Sequence, residues 1–273
     1  MPKLLSALDQ WGQISDEVTI QLRGKRLTVF LDYDGTLTPI VARQELATLA
    51  EEIRETVRSL AELCPVAIVS GRDRFDVQQL VHIDSLIYAG SHGFDIAGPA
   101  GKAIRFEQGC GFLTTLDQAE KALSDALSGV VGARIECKKF SIAVHFRGVA
   151  QRDEERVERI VDGVLARHTY LRKGLGKKVF ELRPDIDWHK GKAVLWLLDA
   201  LSLNTNDVVP VYIGDDVTDE DAFLALASQT THGIGIVVTE TPRPTAARHR
   251  LKNIDEVQRF LGQLGVALRI RAR

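Results

Sequence analysis

Short apolar runs recur along the chain, separated by polar stretches of helical period. Leu27–Leu31, Val66–Val69, Leu86–Ala89, Val208–Ile213 and Ile234–Val238 are brief runs of branched, aromatic and small apolar residues, which predicts strands buried on both faces. Between the first two, Leu46, Leu49, Ala50, Ile53, Val57 and Leu60 fall at spacings of three and four, one stripe of a helix that Pro65 ends. A second helix is expected after Gly191, through Ala193–Leu198, and a third from near Asp219 through Phe223, Leu224, Leu226 and Ala227. Strands alternating with helices predict an α/β fold, a Rossmann-like parallel sheet with helices over its faces.

The middle of the chain follows another rhythm. From about Gly111 to Arg183 the pattern predicts helix (Leu113–Leu127), strands (Arg134–Arg147), helix (Arg152–His168) and strand (177–183), an α+β composition that reads as an inserted domain. Gly109-Cys110-Gly111 and the turn before Trp188 are the expected hinges. The division is therefore residues 1–110 and 184–273 for the core and 111–183 for the insertion. Within the insertion, Phe140, Ile142, Val144 and Phe146 alternate with Ser141, Ala143, His145 and Arg147, and Phe180 and Leu182 with Lys177, Glu181 and Arg183. Its sheet thus carries one apolar face and one strongly polar face, which pattern alone assigns equally to solvent or to a ligand.

Composition leaves the picture that of an ordinary globular protein. With 273 residues, 45% of them hydrophobic and 26% charged, the chain is long enough to bury a sizeable core. A formal net charge of −2 gives no general pull toward nucleic acid or anionic membrane, and the tail residues Arg269, Arg271 and Arg273 read as a solvated end. Cys64, Cys110 and Cys137 are odd in number and lack zinc-site spacing, which fits a reducing compartment. Met1–Trp11 is too broken for a secretory signal, and no apolar run approaches the roughly 20 residues of a membrane span, so a cytoplasmic protein is expected. Oligomeric state is not legible, and a monomer is compatible with every feature.

Candidate chemistry sits where the predicted strands run out. Asp32-Tyr33-Asp34-Gly35-Thr36 directly follows Leu27–Leu31, and two acids one residue apart beside apolar neighbours call for a cation or a shared proton. Ser70-Gly71-Arg72 ends the next strand; a small hydroxyl beside a glycine at a helix start suits phosphate, although a simple turn and cap explains it as well. Lys190 opens a helix, where a cation opposes the dipole and needs solvent or a facing anion. Asp215 and Asp216 follow the strand Val208–Ile213, and clustered carboxylates suit a hard cation, whereas Asp219, Glu220 and Asp221 also serve as ordinary first-turn acids.

In that order the four clusters resemble the motifs of the haloacid dehalogenase superfamily. Within it, Leu31–Ile40, Ser70-Gly71-Arg72, Gly90-Ser91-His92-Gly93, Glu181-Leu182-Arg183-Pro184 and Gly214–Glu220 are similar to the trehalose-6-phosphate phosphatases. The resemblance implies a core of haloacid dehalogenase type with an inserted α+β cap that closes over the site, and hydrolysis of trehalose 6-phosphate through an aspartyl phosphate, the last step of trehalose biosynthesis. It implies Asp32 as nucleophile, Asp34 as acid and base, and Ser70 and Lys190 as phosphoryl holders, with Asp219 orienting Lys190. Mg²⁺ is implied on Asp32, the Asp34 carbonyl and Asp215, with Asp216 or Asp219 further out. Arg72 and His92, and the cap residues Glu136, Lys138, Arg147, Lys177 and Glu181, are implied in substrate binding, with His145 a weaker candidate. Another sugar-phosphate phosphatase, a phosphomutase and a non-catalytic sugar-phosphate module are the competing readings.

Overall fold

A computed structural model describes residues 5–6, 25–41, 46–101, 103–176, 178–228 and 233–271. The chain divides into two compact units, residues 1–106 with 188–273, and residues 107–187. The expectation for Lys177, and that for the chain end at Arg273, fall outside the described residues.

The strands of the first half are β1 (Leu5–Ser6), β2 (Arg26–Leu31), β3 (Val66–Val69), β4 (Ile87–Gly90), β5 (Asp95–Ala97) and β6 (Arg105–Glu107). They are followed by β7 (Arg134–Lys138), β8 (Ser141–His145), β9 (Leu171–Gly176), β10 (Val179–Pro184), β11 (Val208–Gly214), β12 (Ile234–Val238) and β13 (His249–Leu251). The helices are α1 (Glu51–Ala61), α2 (Arg74–Val81), α3 (Leu113–Leu127), α4 (Gln151–Leu165), α5 (Lys190–Ala200), α6 (Glu220–Ser228) and α7 (Ile254–Arg271).

In the larger unit one sheet runs β1-β13-β12-β11-β2-β3-β4-β5-β6, parallel from β1 to β4 and turned antiparallel at β5. Every residue of β3 and β11 is buried, as is all of β2 after Arg26, which is why these strands read as unbroken apolar runs. This is the expected α/β sheet, parallel over most of its width.

Two boundaries differ from expectation for visible reasons. Helix α1 begins at Glu51, not Leu46, because the preceding carbonyls are taken by tertiary donors. Tyr33 Oη donates to Ala47 O at 2.6 Å, Thr38 Oγ1 to Thr48 O at 3.2 Å and Arg54 Nη2 to Leu49 O at 3.1 Å. Those oxygens are not spent on a helix, and Glu51 and Glu52 take the first turn, where the dipole favours acids. Helix α4 stops at Leu165, short of His168, and the chain turns into β9, which sequence reading leaves unassigned because two glycines and two adjacent cations hide its period.

The smaller unit is an antiparallel sheet in the order β7-β8-β10-β9, one face of which shares a core with α3 and α4. Leu116 and Leu123, Val157 and Val161, Ile142 and Val144, and Phe180 and Leu182 meet there, with Phe146 stacked on Phe180 at 4.6 Å between centroids. On the other face Glu136, Ala143, Glu181 and Gly174 form one cross-strand row. Ser141 and Ala143 on this face are only 4% exposed, so the small residues are covered by their longer polar neighbours.

Helix α7, which carries no motif, is a core element of the larger unit. Its Val257, Phe260, Leu261 and Leu264 join Ile53, Val57 and Leu60 of α1. Leu261→Ala should therefore cost about 2–5 kcal/mol in denaturant unfolding, whereas Val266→Ala, at a position 59% exposed, should stay within about 0.5 kcal/mol.

Candidate active site

The site is assembled by strand register in the larger unit. β2 and β11 are parallel neighbours with Leu31 opposite Ile213, and Asp32 N donates to Ile213 O at 2.9 Å. Asp32 and Asp215 therefore leave the sheet side by side at its carboxyl edge, with Ser70 at the end of the next strand, β3. Gly35 makes this possible: it has φ +77°, and a Cβ there would collide with the Asp215 carboxylate.

Lys190 is the hub. It is the first residue of α5, 2% exposed, and its Nζ lies 2.7 Å from Asp32 Oδ1 and 2.7 Å from Asp219 Oδ1. Asp219 is fully buried and committed: Oδ1 also accepts from Tyr212 Oη at 2.6 Å, and Oδ2 accepts from Asp216 N at 2.9 Å. Burial opposes the Lys190 charge, but Asp219 and Asp32 outweigh it and hold the ammonium protonated beyond the ordinary lysine range. Asp219 thus orients Lys190 toward Asp32.

Burial pushes the Asp32 carboxyl well up, helped by Asp219 and Asp215 and resisted by Lys190. Burial also pushes Asp215 up, to about 7, with Asp219 and Asp216 adding to it. In both, burial comes first and neighbouring carboxylate charge adds to it.

The second acid is held differently. Arg72, 6% exposed, grips Asp34 with both arms, Nε to Oδ2 at 2.7 Å and Nη2 to Oδ1 at 2.6 Å, while its guanidinium lies over the Tyr33 ring at 5.5 Å. Ser70 Oγ accepts from Arg72 N at 3.1 Å, so hydroxyl, arginine and Asp34 form one chain of contacts. His92, at φ 57°, packs its ring over Gly71, and its N–H donates to Ser70 O at 2.8 Å. Asp32, Asp34, Ser70, Arg72, His92, Lys190, Asp215 and Asp219 are therefore brought together. Asp216 is not: it is exposed and caps the turn after β11, accepting from Val217 N at 2.7 Å.

Glu136, Lys138, Arg147 and Glu181 belong to the smaller unit. Glu136 Oε2 lies 2.7 Å from His145 Nε2, a hydrogen bond that holds the Glu136 carboxyl below its usual range. Glu181 Oε1 accepts from Ser141 Oγ at 2.9 Å, whereas Arg147 stands exposed past the end of β8.

Two contributors escape sequence reading. Tyr212 looks like one more apolar residue of β11, and only the fold reveals its hydroxyl on Asp219. Arg243, in the segment after β12, donates from Nη2 to Asp215 O at 2.9 Å and Asp216 O at 3.3 Å. Glu220 Oε2 ties the same segment down by accepting from Ala246 N at 2.8 Å and Thr245 Oγ1 at 3.1 Å. The backbone of the Asp215 loop is thus clamped by residues with no local signature.

The donor set suits a hard cation. Asp32, Asp215 and Asp219 each offer a carboxylate oxygen, all within 4.8 Å of one another, and Asp215 Oδ1 is buried without a hydrogen-bond partner. Because both Asp219 oxygens are already engaged, Asp32 and Asp215 are the pair with capacity to spare.

Comparison with known proteins agrees with this chemistry. Residues 30–255 match the family described as Trehalose-phosphatase. A probable trehalose-phosphate phosphatase D of Arabidopsis thaliana is 42% identical over 258 residues, covering 91% of this chain and 70% of that protein. The trehalose 6-phosphate phosphatase RA3 of Zea mays is 42% identical over 277 residues, covering 97% and 75%. Among solved structures, a trehalose-6-phosphate phosphatase related protein superposes with a TM-score of 0.76 at 22% identity, covering 90% of this chain and 100% of that one. The C-terminal domain of the C. albicans trehalose-6-phosphate phosphatase gives 0.73 at 20% identity, covering 91% and 96%; both likenesses concern the fold. With the family match spanning most of its length, the chain belongs to the trehalose-phosphatase family, phosphatases built on the haloacid dehalogenase fold.

Proposed function

We propose that this phosphatase hydrolyses trehalose 6-phosphate to trehalose and phosphate, with Asp32 as nucleophile, Asp34 as proton carrier and Mg²⁺ as the divalent metal that the family implies. The observation that carries the reading is the buried Asp32 carboxylate held by Lys190 at 2.7 Å, beside an Asp34 fixed separately by Arg72. Two carboxylates in one site with different partners suit two different duties. Names of relatives at 42% identity support the substrate.

In the first step an Asp32 oxygen forms a bond to phosphorus, the bond from phosphorus to the sugar oxygen breaks, and that oxygen takes a proton from Asp34. In the second, water attacks the aspartyl phosphate, Asp34 recovers a proton from it, and phosphate leaves as Asp32 is regenerated. Arg72 ties up both Asp34 oxygens in the resting arrangement, so each proton transfer requires one of those bonds to be exchanged for one to the reacting oxygen. Arg72 is a positioning residue for Asp34, and Lys190 and Ser70 hold phosphoryl oxygens, where most of the rate is gained. A bound divalent cation at Asp32 and Asp215 would offset the repulsion between the attacking carboxylate and the anionic substrate, about 4 kcal/mol for unit charges at 4 Å and intermediate dielectric.

Sugar recognition is assigned to the polar face of the β7-β8-β10-β9 sheet, with Glu136, Lys138, Glu181 and Arg147 as donors and acceptors for hydroxyls, joined on the sequence resemblance alone by Lys177. The residues 107–187 would then act as the specificity domain. Three free cysteines support a reducing, cytoplasmic setting, which cell fractionation checks; among the described residues no helix is long and apolar enough to cross a membrane.

A sugar-phosphate panel tests the substrate: trehalose 6-phosphate should be turned over far faster than glucose 6-phosphate, and equal rates would refute that assignment alone. Asp32→Asn should lose at least about three orders of magnitude in kcat with an unchanged circular dichroism spectrum; substantial residual turnover would remove Asp32 as nucleophile. Chelation should abolish phosphate release and added Mg²⁺ restore it, and calorimetry should register Mg²⁺ binding to the native chain but not to Asp215→Asn. Arg72→Lys, which keeps charge but loses the fork, should lower kcat about 10–100-fold with little change in KM.

A further inference from the structure

The polar face of the smaller sheet carries two arginines that the fold itself does not explain. Arg172 and Arg183 are direct partners in the β9–β10 ladder, one register step from the Gly174–Glu181 pair by alternation, so both share the face of Glu181. Like charges in direct cross-strand opposition repel. Arg183 reaches across the ladder to Gly174, its Nη2 lying 3.7 Å from where a Cβ there would stand.

Nothing among the described residues neutralises them. Neither guanidinium enters an ion pair, and the Nε of each is buried with no acceptor. The carboxylates of the face are engaged by Ser141 and His145. Lys138, two residues past Glu136 and paired with Ser141, adds a third cation to the same face. Lys173, adjacent to Arg172 but on the opposite face, shows the contrast, for it is met by Glu158 at 2.9 Å and Asp162 at 2.5 Å. The chain supplies acids to the cation on the helix-covered face and none to the arginine pair.

Two half-buried arginines on paired backbone positions, each with a buried Nε lacking an acceptor, offer several donors to one tetrahedral, doubly charged oxyanion. We infer that Arg172 and Arg183, with Lys138 beside them, form a phosphate-binding site distinct from the carboxylate cluster around Asp32. The phosphate is either that of a sugar phosphate captured at this face or free inorganic phosphate.

Sulfate, an unreactive mimic, titrated by calorimetry into the full chain tests the site. R172Q/R183Q should take up one sulfate fewer per chain than the native protein, and R172K/R183K should bind that sulfate at least about tenfold more weakly, having charge without the fork. Identical isotherms for native and variant proteins would overturn the proposal. If the glutamine variant lacks the native circular dichroism spectrum, the lysine variant alone decides, an unchanged isotherm again refuting the site. Initial rates of R172Q/R183Q separate the two sources: a KM for sugar phosphate raised about tenfold at constant kcat, with inhibition by unphosphorylated trehalose unchanged, assigns the substrate's phosphate, captured here before it reaches Ser70 and Lys190. An unchanged KM, with the effect of sulfate on the rate lost, assigns the free anion. The kinetic arm rests on the phosphatase reading and the calorimetric arm does not, so failure of either idea is recognised separately.

Discussion

Everything in the larger unit is arranged around one buried ammonium. Lys190 lies between Asp32 and Asp219, at 2.7 Å from each, although one follows β2 directly, the other closes the turn before α6, and they are 158 and 29 residues away in sequence. Burying a lysine costs several kcal/mol before any partner is counted, and a buried ion pair rarely does better for stability than well-packed hydrophobic residues. Its presence is better explained by chemistry than by folding. With Asp32, Asp215 and Asp219 ionised, one ammonium leaves the cluster two charges negative, the deficit of a divalent cation. The ammonium and the cation have separate tasks, one steering Asp32 and the other screening it.

Much of this was legible because strand ends are legible. The unbroken runs Leu27–Leu31 and Val208–Ile213 announce buried parallel strands, and acids placed immediately after such runs emerge at the carboxyl edge where α/β proteins do their chemistry. What could not be read depends on contacts across long loops. Tyr212 has the same signature as its apolar neighbours until its hydroxyl meets Asp219. Arg243 sits in a polar, proline-containing stretch that could be any loop, and its value lies in two backbone carbonyls of the Asp215 turn. The early boundary placed for α1 failed for a related reason, since donors from Tyr33, Thr38 and Arg54 capture the carbonyls that a local period assigns to a helix.

The smaller unit shows the limits of alternation differently. The pattern around Phe140–Arg147 correctly separates an apolar from a polar face, yet it treats every polar position alike. In the fold these positions differ in kind: Glu136 and Glu181 are tied down, Ser141 is buried beneath Glu181, and among the described residues the buried Nε atoms of Arg172 and Arg183 meet no acceptor. Strand β9, which supplies Arg172 and the small Gly174, has too weak a period to be read at all, so the arginine pair exists only once the ladder is formed.

The register of β2 against β11 has a thermodynamic side. By setting Leu31 opposite Ile213, the sheet brings Asp32 and Asp215 into a buried proximity that unfolded chains avoid, and the Asp215 charge adds to the burial that disfavours an ionised Asp32, so folding stores electrostatic work in the site. A ligand that neutralises the pair releases that work, and by linkage it tightens the fold as much as the fold tightens the ligand. The hydrogen-bonded ladder at the centre of the sheet and the affinity of the site for its cation are in this sense two readings of one free energy.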